Sequence, residues 1–352
     1  MSEQAVDGWV MDHPYRGAAW EPAVLRWETR ALRAPADGEL LVRPIYLSLD
    51  PSNLVWAQLE RTYIVPLQVG DPMVGMVLAE VEESRADGFE QGEIVLALAD
   101  WTTRAIVSTD ASQMVPPVKV QRMPGVPMAV GLTVFSHIGL AAMIGMREVA
   151  AVQAGETVLV SSAAGAVGGL AAQIAKASGC RVVGIAGGPQ KCALLLDELG
   201  LDGAIDYRAG DLDAALAQAC PEGVDVYFDN VGGEALDAAL MHLNEGARIA
   251  VCGQMSQYFS DDADPVPGVR NLYQLVIRNV RMQGYVPNEM WAPRFPAIFA
   301  ELGELLMEGA ITHRAHVVEG FENVPEALGL LQTGGNRGKL IVQTGPDPWA
   351  DA

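Results

Sequence analysis

The chain has 352 residues, with 23 Lys and Arg against 44 Asp and Glu, a formal net charge of −21. Half of the residues are hydrophobic and 19% are charged, enough apolar material for two full-sized cores and too little net polarity for a disordered chain. Such acidity repels phosphate backbones and anionic headgroups, so neither nucleic acid nor a membrane surface is an expected partner.

In chain order, the stretch to about residue 128 carries short strands punctuated by Pro and Gly, at 40–47, 73–81, 92–98 and 104–107, which predicts a β-rich domain. Residues 123–146 hold no charged side chain, a run long enough on paper to span a bilayer. Pro124, Pro127, Gly131, Thr133, Ser136, His137, Gly139 and Gly145 interrupt it and predict a buried connecting segment and helix instead. From about Gly155, apolar β-branched runs alternate with amphipathic stretches. Strands are predicted at 157–161, 181–186, 203–207, 224–229, 247–252 and 280–285. Helices are predicted at 167–178 and at 189–199, the latter opened by Pro189 and closed at Gly200. This is the pattern of an α/β, doubly wound parallel sheet with helices on both faces. After a helix at about 294–308, the chain returns to strands and one helix and ends in a strand at 338–343, expected to pack back on the first domain.

Cys180, Cys192, Cys220 and Cys252 lie in separate segments without a Cys-x-x-Cys pair, so no zinc cluster or dithiol redox motif can be written from them, and a reducing compartment fits. The start, Met1 to Asp7, has neither a basic nor an apolar stretch, and a cytoplasmic protein is expected. No metal is expected: the N-terminal β-rich stretch has no cysteine and only His13, while His313 and His316 stand three apart beside a predicted strand, an offset that points them to opposite faces.

After the predicted strand ending at Ser161 comes Ser162-Ala163-Ala164-Gly165-Ala166-Val167-Gly168-Gly169, the dinucleotide fingerprint with Ala163 at the first glycine position. Gly165 lets the backbone approach a pyrophosphate, and Gly168 lets the helix pack close to the sheet. The helix start then presents N–H groups to the phosphates. An NAD-selective site places an acid about 20 residues on, at the ribose 2′-hydroxyl. Here that place holds Ile185-Ala186-Gly187-Gly188, followed by Pro189-Gln190-Lys191. The glycines leave room for a 2′-phosphate and Lys191 supplies a cation, which predicts NADP(H) as cofactor.

Several motifs in order add to this: Tyr46-Leu-Ser-Leu-Asp-Pro51, Ala163 to Gly168, Val183 to Lys191, Ala204-Ile-Asp-Tyr207, Phe228-Asp-Asn-Val-Gly-Gly233, Cys252-Gly-Gln-Met-Ser-Gln-Tyr258 and Gly335-Asn-Arg-Gly-Lys339. With them the chain resembles the zinc-independent medium-chain dehydrogenase/reductase superfamily. Within it, the likeness is to the leukotriene B4 dehydrogenase/prostaglandin reductase group, which includes plant double-bond reductases and bacterial curcumin-type reductases. The resemblance implies a β-rich GroES-like substrate domain at 1–129 and 310–352 and an NADP-binding Rossmann domain at 130–309. It implies that Gly165, Ala166, Val167 and Gly168 hold the pyrophosphate, and that Gly188, Lys191 and Tyr207 surround the 2′-phosphate. Asn230, Cys252, Gly253, Met255, Ser256, Gln257, Tyr258, Tyr285, Val286 and Asn336 would line the rest of the cofactor site.

The tyrosine matching Tyr258 lies by the nicotinamide ribose in similar enzymes, so Tyr258 is the catalytic candidate, its phenol donating to an enone oxygen as charge develops there. The implied activity is NADPH-dependent reduction of the C=C bond of a small hydrophobic α,β-unsaturated ketone or aldehyde, with quinone or carbonyl reduction, or non-catalytic NADPH sensing, as alternatives. A homodimer is implied as well. The chain departs from the group at Ser52 to Ala57, at Val74 after Met73, and at Thr133-Val-Phe-Ser-His137, positions that resemble the substrate mouth. There Asn53, Trp56, Tyr63 and Phe135 are the candidate pocket residues, the aromatics suited to a hydrophobic or aryl substrate.

Overall fold

The computed structural model describes residues 4–17, 19–59, 64, 66–113, 115–258, 268–287 and 292–350. The chain divides into two compact units, Met1–Thr133 with Ala315–Ala352, and Val134–Arg314. The first unit opens with β1 (Gln4–Met11), β2 (Leu25–Leu32), β3 (Glu39–Leu49), α1 (Pro51–Trp56), β4 (Val74–Ser84), β5 (Ile94–Asp100), β6 (Ala105–Ser108), β7 (Val118–Lys119) and α2 (Val130–Thr133). The second unit contains α3 (His137–Met143), β8 (Thr157–Val160), α4 (Ala166–Ala177), β9 (Arg181–Ala186), α5 (Pro189–Asp197), β10 (Gly203–Asp206), α6 (Leu212–Ala219), β11 (Val224–Asp229), α7 (Gly233–Met241), β12 (Leu243–Val251), α8 (Met255–Tyr258), α9 (Tyr273–Ile277), β13 (Arg281–Gly284) and α10 (Phe295–Met307). The first unit resumes with β14 (Ala315–Glu319), α11 (Val324–Thr333) and β15 (Lys339–Gln343).

In the first unit, a seven-stranded sheet runs β14-β15-β3-β4-β5-β7, with β6 paired to β3. Its core joins Ile45, Leu78 and Leu96 to Leu132 of α2 and Ile341 of β15, so the last strand of the chain completes the first domain. Lys339 is buried there: its ammonium donates to the Leu49 carbonyl and, at 2.8 Å, to Asp50 Oδ1, while Ser48 Oγ donates to Asp50 Oδ2. Burial pulls the Lys339 ammonium below its ordinary pKa, opposed by Asp50. β1 and β2 form a separate antiparallel pair with Trp9 opposite Trp27. Charged residues at Arg26, Glu28 and Arg30 hide β2 from the hydrophobic pattern; Trp27 packs edge-on against Trp9 and Phe321 instead.

The uncharged run forms two short helices, α2 and α3, rather than one. Ser136 separates them, its Oγ accepting the Ile138 N–H at 3.2 Å to cap α3, and Gly139 lets α3 start against the Val134 carbonyl, where a Cβ would collide. No described helix is long and apolar enough to cross a membrane.

The sheet of the second unit has the order β10-β9-β8-β11-β12-β13, and every neighbouring pair is parallel. Consecutive residues of its central strands, such as Val158, Leu159 and Val160, are all fully buried, as strands covered on both faces must be. On one face Leu159, Ile185, Tyr227 and Ile249 pack with Leu216 of α6 and Leu236 and Leu240 of α7. The strand order reverses between β8 and β11, and such a reversal opens a crevice beyond the carboxyl ends of the strands. Parallel pairing places all six carboxyl ends on one edge, so the segments after each strand share that crevice side.

In the first unit, Asp100 ends β5 largely enclosed, and burial pushes its carboxyl up to about 6, opposed by Arg30 and reinforced by Asp71. A carboxylate whose folded pKa is raised lets the native state bind the proton first, so stability rises as pH falls through 6 towards 4 and is lower above it. Asp100→Asn is therefore expected to stabilise the protein at pH 8 by on the order of 2 kcal/mol and to change little near pH 4. Denaturant titrations at the two pH values measure this, and an equal effect at both would contradict it.

Candidate active site

The turn between β8 and α4 is built for close backbone approach. Ser162 holds a left-handed conformation at φ 53°, and Ala163 N–H donates to the Ile185 carbonyl at 3.0 Å, tying the turn to β9. Ala163 is fully buried, which is why a small residue serves at the first glycine position. Gly165 caps α4 with extended backbone and no side-chain partner. A Cβ on Gly168 would strike the Ser162 carbonyl, so glycine is what lets the helix begin against the turn. Ala166, Val167 and Gly168 thus form a first helical turn whose N–H groups have no acceptor within the helix and lie at the positive end of its dipole.

At the ends of β9 and β10, one carboxylate oxygen joins two turns. Asp206 Oδ1 accepts the N–H of Gly188 at 2.8 Å and of Arg208 at 3.0 Å. Gly188 caps α5 at φ 90°, a conformation suited to glycine, and Lys191 lies in the first turn of α5. Tyr207 is half-exposed, and Arg208 Nε donates to its hydroxyl at 3.2 Å.

Between β11 and β12 the site is more deeply buried. Asp229 is fully buried, and its Oδ1 accepts the Tyr227 hydroxyl at 2.8 Å, Ser161 Oγ at 3.1 Å, and the N–H groups of Val231 at 3.0 Å and Gly232 at 2.9 Å. Its Oδ2 is buried without a hydrogen-bond partner among the described residues. Burial raises the Asp229 carboxyl above its ordinary pKa although the four donors oppose it. Asn230 donates from its backbone to Ser161 Oγ at 2.8 Å and from its amide to the Ser161 carbonyl at 2.7 Å.

The segment after β12 docks on this turn. Cys252 and Gly253 N–H donate to the Asp229 carbonyl, Met255 N–H to Asn230, and Ser256 N–H and Oγ to Val231. Gln257 N–H closes the turn on the Gln254 carbonyl. The Tyr258 hydroxyl accepts the Gln254 N–H at 3.3 Å and lies 3.3 Å from the place a Gly253 Cβ would take, a tight approach. Burial raises the Tyr258 phenol above its ordinary pKa, opposed by the Gln254 N–H. Cys252, hydrogen-bonded to Tyr285, is pushed up to about 11 by burial, so its thiol is protonated at neutral pH. Tyr285 follows β13 and donates to the Ala141 carbonyl at 2.7 Å, packed against Gly145 and Phe228; its hydroxyl is thus engaged with the fold, and Val286 follows it.

The remaining predicted residues are spread over both units. In the first, Asn336 donates to the Gly338 carbonyl at 2.8 Å. Asn53 is buried, its amide oxygen accepting the Asp50 N–H and its amide nitrogen donating to the Val74 carbonyl. Its side chain therefore holds α1 to β4. Trp56 is buried in α1, and Tyr63 lies outside the described residues. In the second unit Phe135 packs edge-on against Phe299 of α10 at 6.4 Å. His316 is in β14 and His313 lies before it; burial lowers the His313 pKa. Among the described residues no group of three or more His, Cys, Asp and Glu side chains is placed to hold a metal ion. Ser161, Asp229 and Arg208 were missed as site residues by sequence reasoning: Asp229 stands inside the Phe228 to Gly233 motif, Ser161 ends the predicted strand before the glycine turn, and Arg208 follows Tyr207.

Two family models match the chain: a zinc-binding dehydrogenase model over residues 166–304 and an N-terminal domain of oxidoreductase model over residues 8–115. The chain is 35% identical over 342 residues to the NADPH-dependent curcumin reductase of Escherichia coli (strain K12), covering 96% of this chain and 97% of that protein. It is 38% identical over 310 residues to prostaglandin reductase 1 of Bos taurus, covering 87% of this chain and 90% of that protein. Among solved structures, CurA from Vibrio vulnificus in complex with NADPH matches with a TM-score of 0.88 at 35% identity, covering 97% of this chain and 99% of that one.

Removing the acceptor at Asp229 leaves the Tyr227 hydroxyl and two backbone N–H groups without it in the interior, and Ser161 Oγ with only the Phe228 carbonyl at 3.4 Å as acceptor. Asp229→Ala is expected to cost about 3 kcal/mol or more of stability, read as a lower urea midpoint. Asp229→Asn keeps an acceptor oxygen and is expected to lose clearly less; equal losses would show that the acceptor is not what matters.

Proposed function

The chain belongs to the zinc-independent alkenal/one reductase group of the medium-chain dehydrogenase/reductase family, and we propose that it reduces the C=C bond of α,β-unsaturated ketones or aldehydes with NADPH, by hydride addition to the β-carbon. Family membership makes it an NADP(H)-dependent oxidoreductase of activated C=C bonds. The residues present fit that cofactor: a glycine cradle opens onto the α4 N-terminus, the end of β9 has no side chain at Gly187 or Gly188, and Lys191 and Tyr207 stand there in place of an acid. We assign the second unit as the NADP-binding domain and the first as the substrate domain, with Trp56 a candidate for its pocket.

Bound NADPH supplies the hydride. The chain's own part is binding, orientation and proton management. The observation that carries the reading is Tyr258: its hydroxyl is held at the carboxyl ends of β11 and β12 by the Gln254 N–H, and a tyrosine phenol is a proton donor at neutral pH. A protonated phenol donates to the substrate carbonyl oxygen as enolate charge builds there. The α-carbon then takes a proton from water or from this phenol. In this reading Ser161 and Asp229 are positioning residues.

The edge strand β13 and the neighbouring α9, where Tyr273, Val276 and Ile277 are 70%, 66% and 57% exposed, support a homodimer through the second unit. A reducing, cytoplasmic setting is proposed with it.

Anaerobic NADPH oxidation with enones, enals, quinones and plain ketones, with products identified by mass, tests the activity. Saturated ketones or aldehydes are expected, and Tyr258→Phe is expected to lower kcat by about 100-fold, the scale of one general-acid or oxyanion contact, with NADPH affinity kept. Quinols or alcohols would move the reading to carbonyl chemistry, and binding without turnover to a sensor. For the assembly, Val276→Glu is expected to halve the mass measured by size-exclusion chromatography with light scattering; an unchanged mass would place the interface elsewhere.

A further inference from the structure

Resting on the reading of the first unit as the substrate domain, we infer that Lys339 is a positioning residue for substrate binding: from the last strand of the chain it fixes the corner where β3 turns into α1, and so sets the place of α1 and of its pocket candidate Trp56. Asp50 is the single residue between Leu49, which ends β3, and Pro51, which begins α1. The Lys339 ammonium holds that corner twice, donating to the Leu49 carbonyl and, at 2.8 Å, to Asp50 Oδ1. β15 supplies the reach, because Leu340 pairs with Leu49 in the antiparallel register.

The order set at the corner passes into the helix. Ser48 Oγ donates to the other Asp50 oxygen at 2.5 Å, so the carboxylate is fixed at both oxygens. Asn53 Oδ1 accepts the Asp50 N–H at 2.7 Å, and the Asn53 N–H donates to the Asp50 carbonyl at 2.9 Å. The Asn53 amide then donates to the Val74 carbonyl at 3.0 Å, tying the first turn to β4. α1 has six residues, too few to keep an orientation by its own hydrogen bonds. Stability alone does not call for a lysine here. Lys339 is 2% exposed, burial works against its charge, and a well-packed apolar pair of similar volume is often as stable as a buried ion pair. What an apolar pair lacks is direction: it fills the space without holding the Leu49 carbonyl and the Asp50 carboxylate to one point.

The test uses the intact protein as wild type, Lys339→Met, Asp50→Asn and the double variant Asp50→Asn with Lys339→Met. Three quantities are read: the urea midpoint, the affinity for 2′,5′-ADP, a probe of the second unit alone, and kcat and KM separately for NADPH-dependent reduction of benzalacetone and crotonaldehyde. Lys339→Met leaves a buried carboxylate unpaired and is expected to lower the midpoint. It is also expected to raise KM for the two substrates by about 10-fold, the scale of one lost apolar contact, with kcat changed less than about twofold and 2′,5′-ADP affinity kept. Asp50→Asn keeps an acceptor for the ammonium and should raise KM less. The double variant removes the unpaired charge, so its midpoint is expected to recover while its KM stays high. A KM that returns to the wild-type value together with the midpoint overturns the positioning role, and so does an equal weakening of 2′,5′-ADP. Wild-type protein that binds 2′,5′-ADP and reduces neither substrate overturns the double-bond reading itself, and the role of Lys339 with it.

Discussion

A carboxylate without solvent access sits where the parallel sheet reverses its strand order, and the site is organised around it. Burying Asp229 is tolerable only if its charge or its proton is satisfied, and one of its oxygens collects donors from β8, β11 and the start of α7. Each of those donors is thereby fixed. The turn at Asn230 is set by Ser161, and the segment from Cys252 to Tyr258 is hung from that turn by backbone bonds. Tyr258 sits in a helix of four residues, too short to orient a side chain by its own hydrogen bonds. Its position is inherited from the buried carboxylate.

The first unit handles a buried charge differently. Asp50 meets Lys339 directly, with Ser48 completing the carboxylate's partners, so charge is neutralised by charge across β3 and β15. Such a pair is expensive to break and weak evidence of net stabilisation. Its effect is specificity, since only one register of the last strand brings Lys339 to Asp50. The two solutions suit their places. An ion pair closes a domain built from two stretches far apart in sequence, whereas an acceptor for backbone N–H groups shapes a turn that must leave room for a ligand.

The central strands β8, β9 and β11 were legible because each is an apolar, β-branched run between turn residues, and the glycine turn was legible because close approach and tight packing admit few residue types. β1 and β2 were not, since alternating charges mask a strand whose apolar contacts are aromatic and distant in sequence. The uncharged run was read as a buried connecting segment and one helix because composition reports burial and not the additional turn of helix, α2, that precedes the cap at Ser136. Tyr285 and Asn53 illustrate the opposite difficulty: a polar side chain in a recognised segment serves the fold as readily as a ligand, and only its hydrogen bonds, to Ala141 and to Asp50 and Val74, distinguish the two.

What the sequence by itself determined is therefore local: strand and helix identity from periodicity, the phosphate-approaching turn from its glycines, and cofactor preference from an acid that is missing and a lysine that is present. The tertiary structure decided which neighbours meet. Arg208 came to Gly187, and Ser161 to Asp229, because adjacent parallel strands bring together the ends of segments 21 and 68 residues apart. Periodicity along one strand carries no record of the strand beside it, and the pairing that supplies it is settled only when the sheet assembles.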